Sequence, residues 1–93
     1  MIKSFRHSGL EEFFETGSNR GIQPKHAEKL SIQLFALNRV KSPWDLRVPP
    51  GWDLHSLRGD LNGHWSIKVS GNWRLTFAFE DEDIILLDYQ DYH

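Results

Sequence analysis

Apolar residues along the chain change their spacing once, near residue 50. In the first half they recur at three- and four-residue steps. Leu10, Phe13 and Phe14 share one face of a helical projection, and Ala27, Leu30, Leu34 and Leu37 form a second stripe. In the second half they alternate. Trp65, Ile67 and Val69 interleave with His64, Ser66 and Lys68; Trp73, Leu75, Phe77 and Phe79 interleave with Arg74, Thr76 and Ala78. The pattern predicts an α+β fold, with two N-terminal helices packed on a small antiparallel-rich sheet. Residues 1–93 read as a single domain with no internal repeat.

Local punctuation predicts the boundaries. Ile2 to Phe5 reads as a short strand. Ser8-Gly9-Leu10-Glu11 has the Ser-x-x-Glu spacing of a capping box, and Gly17 stops the first helix. Residues 18–23 form a turn, and Pro24 suits the first turn of a second helix. Lys25, Lys29 and Arg39 fall off its apolar stripe, toward solvent. Ser42-Pro43 ends that helix, because proline disfavours helical geometry in the residue before it. Residues 41–50 form a connection, Glu80 to Asp83 a tip, and Ile84 to Tyr89 the last strand.

Register follows from keeping apolar residues on one face. A two-residue Gly71-Asn72 loop would set Val69 opposite Arg74. A three-residue Ser70-Gly71-Asn72 loop sets Val69 opposite Trp73, Ile67 opposite Leu75 and Trp65 opposite Phe77. The second arrangement is therefore expected. It puts Arg74 opposite Lys68 on the polar face, with His64 and Ser66.

Composition narrows the chemistry. With no cysteine there is no disulfide framework, thiolate nucleophile or cysteine zinc site, as expected for a reducing cytosol. No apolar run approaches the length of a membrane span, and no signal peptide is visible. Net charge is −2 but uneven: residues 1–50 carry eight Lys/Arg against five Asp/Glu, residues 51–93 three against eight. A local basic patch around the helices, from Arg20, Lys25, Lys29, Arg39 and Lys41, is the candidate surface for a polyanion.

Five histidines are present. His7 precedes a helix and His26 begins one, and both read as incidental. His55, His64 and His93 fall in the β half. Three histidines could hold zinc, but no short His-x-His or His-x₃-His spacing supports such a site. The alternative is a metal-free phosphate site. His55 and Arg58 lie in Leu54-His55-Ser56-Leu57-Arg58-Gly59-Asp60, Arg74 projects from a neighbouring strand, and Tyr92-His93 follow the last one. Such a set supplies what RNA cleavage needs: a base for the ribose 2′-OH, cations for the pentacoordinate phosphate, and an acid for the departing 5′-oxygen.

The same segments, with Gly63-x-Trp65-Ser66-Ile67, Asn72-Trp73-Arg74-Leu75 and Asp91-Tyr92-His93, resemble the HigB toxins of the RelE/ParE toxin–antitoxin superfamily. Met1-Ile2-Lys3-Ser4-Phe5 and Phe13-Phe14-x-Thr16-Gly17 extend the resemblance over essentially the whole chain. It implies a RelE-like fold and a cytoplasmic, ribosome-dependent endoribonuclease, using no metal or cofactor, that cuts mRNA in the ribosomal A site. It also implies a HigA-type helix-turn-helix antitoxin as partner, with operator DNA bound only through the complex. By motif, His93 would be the general acid or base and Arg74 would bind the scissile phosphate. His55 and Arg58 would flank it, Arg58 in an electrostatic role, and Tyr92 would orient the RNA or assist proton transfer. Two other readings share the fold: a ParE-type gyrase-inhibiting toxin, and an inactive module that binds antitoxin and DNA.

Overall fold

The computed structural model describes residues 1–47 and 50–92. Helix α1 (Ser8–Thr16) and helix α2 (Ala27–Leu37) precede four strands: β1 (His55–Ser56), β2 (His64–Ser70), β3 (Trp73–Glu80) and β4 (Asp83–Asp91). The strands form one antiparallel sheet in chain order. Leu10 from α1 and Leu30, Leu34 and Leu37 from α2 pack with Ile67, Val69, Leu75, Phe77, Ile84, Leu87 and Tyr89 from one face of the sheet. Each fully buried aliphatic side chain there contributes about 1.5–3 kcal/mol. Among the described residues, no helix is long and apolar enough to cross a membrane.

Both helix boundaries carry a correction. Helix α1 is capped by His7 rather than by a Ser8/Glu11 box: His7 is extended, and its Nδ1 accepts the Leu10 N–H at 2.9 Å. Ser8 is already helical, so its hydroxyl sits one residue too late for the cap. Gly17 ends α1 as expected, in left-handed geometry (φ 81°), with its N–H donating to the Phe13 carbonyl. Pro24 opens a single 3₁₀ turn, Pro24–His26, and α2 proper starts at Ala27. Helix α2 stops at Leu37, well before Ser42-Pro43. Asn38 is held there, since its Oδ1 accepts the Ile2 N–H at 2.9 Å and Val40 turns into the core.

The β2–β3 hairpin solves its register problem differently from the expectation. Ile67 faces Leu75 and Trp65 faces Phe77, as the apolar pattern requires, but the turn is the two-residue Gly71-Asn72. Ser70, not Val69, lies opposite Trp73, and Val69 is the extra residue of a β-bulge. The bulge reconciles a tight turn with the buried face: without it Val69, now 1% exposed, would face Arg74. Beside it, buried Gln33 of α2 donates to the Lys68 carbonyl at 2.8 Å, tying helix to sheet.

A second bulge interrupts β4. Thr76 pairs with Asp88 but Ala78 with Ile85, and Leu86 takes a left-handed φ of 57°. The expected strand at Ile2 to Phe5 is only two isolated parallel bridges, Ile2 to Ile84 and Phe5 to Leu87. Ser4 sits at the irregularity, its Oγ accepting the Leu86 N–H at 2.8 Å. The bend in β4 breaks the ladder that a continuous edge strand would need.

Candidate active site

Alternation along the strands leaves one face of the sheet polar. Register aligns it in rows: His55, Ser66, Thr76 and Asp88 in one, Lys68, Arg74 and Gln90 in the next. Small hydroxyls make its floor, with Ser66 and Thr76 both buried. Gln90 Nε2 ties the rows together, donating to Thr76 Oγ1 at 3.2 Å and Asp88 Oδ2 at 2.9 Å. Asp88 Oδ1 in turn accepts the Tyr89 N–H. The floor is thus organised by the protein's own hydrogen bonds.

Lys68 and Arg74 lie directly opposite each other. Like charges in that position are destabilising by themselves. No carboxylate forms an ion pair with either one among the described residues. Arg74 is instead held by its own turn: Nη1 donates to the carbonyls of Gly71 at 2.7 Å and Trp73 at 3.0 Å. Its other guanidinium N–H groups have no protein acceptor among the described residues, and an anion placed between Lys68 and Arg74 would turn their repulsion into attraction. Tyr92 follows at the same end of the sheet, where its N–H donates to the Asn72 carbonyl at 2.8 Å.

The remaining candidates are more dispersed. His55 is exposed on β1, on the polar face but two strands and one row from Arg74, about 12 Å by strand geometry. Its Nε2 lies 3.2 Å from Asp53 Oδ1. Arg58 is exposed beyond β1, which runs away from the Arg74 end, since the Leu57 N–H reaches the His64 carbonyl. Among the described residues no hydrogen bond or ion pair joins any two of His55, Arg58, Arg74 and Tyr92. His93 lies outside the described residues.

The basic residues of the helices do not form one patch. Lys25 and Lys29 line a groove with Ile32 and Trp52. Arg20 is paired to Glu12 of α1 at 2.9 Å. Arg39, whose guanidinium covers the Phe35 ring, and Lys41 lie past the other end of α2, about 16 Å along its axis. No group of three or more His, Asp or Glu side chains among the described residues is arranged to hold a metal ion.

Sequence reasoning missed Asp53 beside His55, and the Thr76–Gln90–Asp88 network. His26, read as incidental at the start of a helix, does lie at the start of α2 and is buried against Tyr89, a contact the sequence did not show. The β3–β4 pairing that assembles the network depends on the Leu86 bulge, which has no marker such as glycine in the sequence.

Comparison with known proteins agrees with this architecture. Residues 3–93 match the family model described as the RelE-like toxin of type II toxin-antitoxin system HigB. The chain is 40% identical over 93 residues to Endoribonuclease HigB of Proteus vulgaris, covering all of both chains. It is 34% identical over 94 residues to Toxin HigB-1 of Vibrio cholerae serotype O1, covering 100% of this chain and 98% of that one. Among solved structures, a single-residue variant of YafQ from E. coli superimposes with a TM-score of 0.64 at 15% identity, over 98% of this chain and 93% of the other. YafQ from E. coli strain BL21(DE3) gives 0.58 at 14% identity with the same coverage. Likeness at that level of identity concerns the fold alone.

Proposed function

Since this chain belongs to the HigB-like family of RelE-like toxins of type II toxin–antitoxin systems, we propose that it is a metal-independent, ribosome-dependent endoribonuclease that cuts mRNA in the ribosomal A site. The observation that carries this reading is the Lys68–Arg74 pair: two cations facing each other on a pre-organised polar sheet face, beside Tyr92. Uncompensated like charge at a rigid site is what a phosphodiester in its pentacoordinate state would reward most, because its negative charge is then greatest.

The reaction follows from ordinary phosphodiester chemistry. A base removes the ribose 2′-OH proton, the 2′-oxygen attacks phosphorus, and the bond to the 5′-oxygen breaks as an acid protonates it. The products are a 2′,3′-cyclic phosphate and a 5′-hydroxyl. Arg74 and Lys68 stabilise the equatorial oxygens. Tyr92 orients the RNA, and His93 and His55 are the proton-transfer groups. Arg58 acts only through its charge, being too basic to shuttle protons. Arg20, Lys25, Lys29, Arg39 and Lys41 meet the ribosome from more than one side of the helices.

The toxin is cytoplasmic and is silenced by a HigA-type helix-turn-helix antitoxin, through which alone it meets operator DNA. Expression of the chain followed by mapping of mRNA ends, with and without ribosomes, tests the reading. Cuts confined to translated mRNA, and lost in an Arg74→Ala variant that also lacks His93, are expected. Undiminished cleavage by that variant would overturn the site. Intact mRNA together with inhibited gyrase would replace the reading with that of a gyrase-directed toxin.

A further inference from the structure

Behind the Arg74 end of the sheet, on its core side, four rings meet. Tyr89 of β4 stacks on Trp73 of β3 at 4.5 Å between centroids. His7, the α1 cap, meets Tyr89 edge-on at 5.3 Å, and His26 meets Trp73 edge-on at 5.6 Å. His26 is 3% exposed. Its Nδ1 lies 2.6 Å from the Tyr89 hydroxyl, and its Nε2 is buried with no hydrogen-bond partner. The Tyr89 oxygen also accepts the Gln23 N–H at 3.3 Å.

These contacts favour a neutral His26 ring that accepts from Tyr89. The Tyr89 oxygen accepts from Gln23, and His26 Nδ1 is the acceptor within reach of the hydroxyl proton, so that proton is placed on Nδ1. The imidazole is then neutral, with its hydrogen on Nε2. Burial, then the nearby Lys25 and Lys29, push the His26 pKa below its usual value. Burial also pushes the Tyr89 pKa up; the Gln23 N–H counters this and Asp91 adds to it. The titratable and charged groups facing the pair are thus His7 from α1, Lys25 and Lys29 from the turn and α2, and Asp91 from β4.

The cluster is joined to the reactive face by short covalent and hydrogen-bonded links. Trp73 precedes Arg74, and its carbonyl accepts from the Arg74 guanidinium. Trp73 pairs with Asp91, and Tyr92 follows and is pinned to Asn72. We propose that His26, acting through Tyr89 and Trp73, is a positioning residue for Arg74 and Tyr92, and that it holds them in place only while its ring is neutral. Protonation would make both ring nitrogens donors, leave the Tyr89 hydroxyl proton without its Nδ1 acceptor, and place a buried charge beside two lysines.

The activity arm of the test rests on the nuclease reading; the spectroscopic arm does not. With ¹⁵N-labelled wild-type protein at neutral pH, the His26 ring is expected to be neutral with its proton on Nε2. Acidification below pH 6.5 should move the Trp73, Arg74 and Tyr92 amide signals together. His26→Gln, which can still accept from Tyr89, should abolish that shift. In ribosome-dependent cleavage, Tyr89→Phe should lower kcat about tenfold with KM little changed. His26→Gln should lose less activity on acidification than wild type. A cationic or Nδ1–H ring at neutral pH, or acid-induced shifts that survive in His26→Gln, would overturn the proposal. So would pH profiles of the two proteins that superimpose. Absence of cleavage by wild type would overturn the nuclease reading and leave the spectra to decide this one.

Discussion

Arg74 Nη1 rests 2.7 Å from the carbonyl of Gly71, so the guanidinium is braced on the hairpin turn that its own strand leaves. Bracing removes side-chain freedom in advance, which would lower the entropy lost if the guanidinium binds the scissile phosphate, as proposed. Lysine keeps the charge but cannot brace and bind at once through a planar fork. Arg74→Lys should therefore cut single-turnover cleavage on ribosomes by about 10²-fold, a loss typical of removing a transition-state donor. Urea unfolding of the same variant should move by only about 1 kcal/mol, since the guanidinium–carbonyl bonds lost lie at an exposed turn. A variant that cleaves as fast as wild type would remove Arg74 from the phosphate site.

Asp53 and His55 form a second local unit. Asp53 adopts a left-handed φ of 51°, which strains a residue with a Cβ, and its carboxylate reaches His55 Nε2. Strain in backbone and order in side chain make opposite demands here. Asp53→Gly should relieve about 1–2 kcal/mol of strain, partly offset by the flexibility glycine adds to the unfolded chain. It should also release the His55 ring and lower kcat about tenfold. Asp53→Asn, which tolerates the left-handed backbone, should separate the two effects, keeping stability near wild type while weakening the hold on the imidazole. Urea midpoints and kcat measured on the three proteins check this; equal kcat in all three would leave His55 unassisted.

The parts of the fold legible in the sequence are those where burial alone decides. The stripe Leu30, Leu34, Leu37 and the pairs Trp65–Phe77 and Ile67–Leu75 follow from the apolar pattern, because any other arrangement would expose large side chains. Features that add or redirect a single residue were not legible. The Val69 and Leu86 bulges carry no glycine, and a ring nitrogen caps α1 where a hydroxyl was expected. At the site, Arg74 opposite Lys68 was read from register. Asp53 was not, because nothing in the sequence marks the left-handed backbone it adopts beside His55.

Gly9 at the start of α1 and Gly21 in the following loop pass almost backbone to backbone. A Cβ on Gly9 would fall 2.7 Å from the Gly21 Cα, and one on Gly21 would fall 2.5 Å from the Gly9 Cα. Neither neighbour is a flexible side chain that could move aside. Alanine at either position should cost about 1–3 kcal/mol in urea unfolding, as overpacking does. The loop from Gly21 also carries Gln23, the donor to Tyr89, so either variant should perturb the Trp73 signals as well. Alanine at Gly51, which has open space around its Cβ position, serves as the control and should change neither.

The buried His26–Tyr89 pair makes stability depend on pH at both ends. The folded state resists protonating His26, whereas in the unfolded chain the ring takes up a proton near pH 6.5. From that point downward the unfolded state binds more protons, so stability should fall as pH decreases until the folded ring is protonated too. Tyr89 acts in the opposite direction. Its phenol ionises near pH 10.0 when unfolded but resists when buried, so stability should fall again as pH rises above that value. Urea midpoints across the range should therefore trace a plateau between the two limits. His26→Gln should flatten the acid side and leave the alkaline side in place, while Tyr89→Phe should do the reverse. If His26→Gln loses stability below pH 6.5 as steeply as wild type, the acid limb belongs to other groups and the buried imidazole is not the residue being charged.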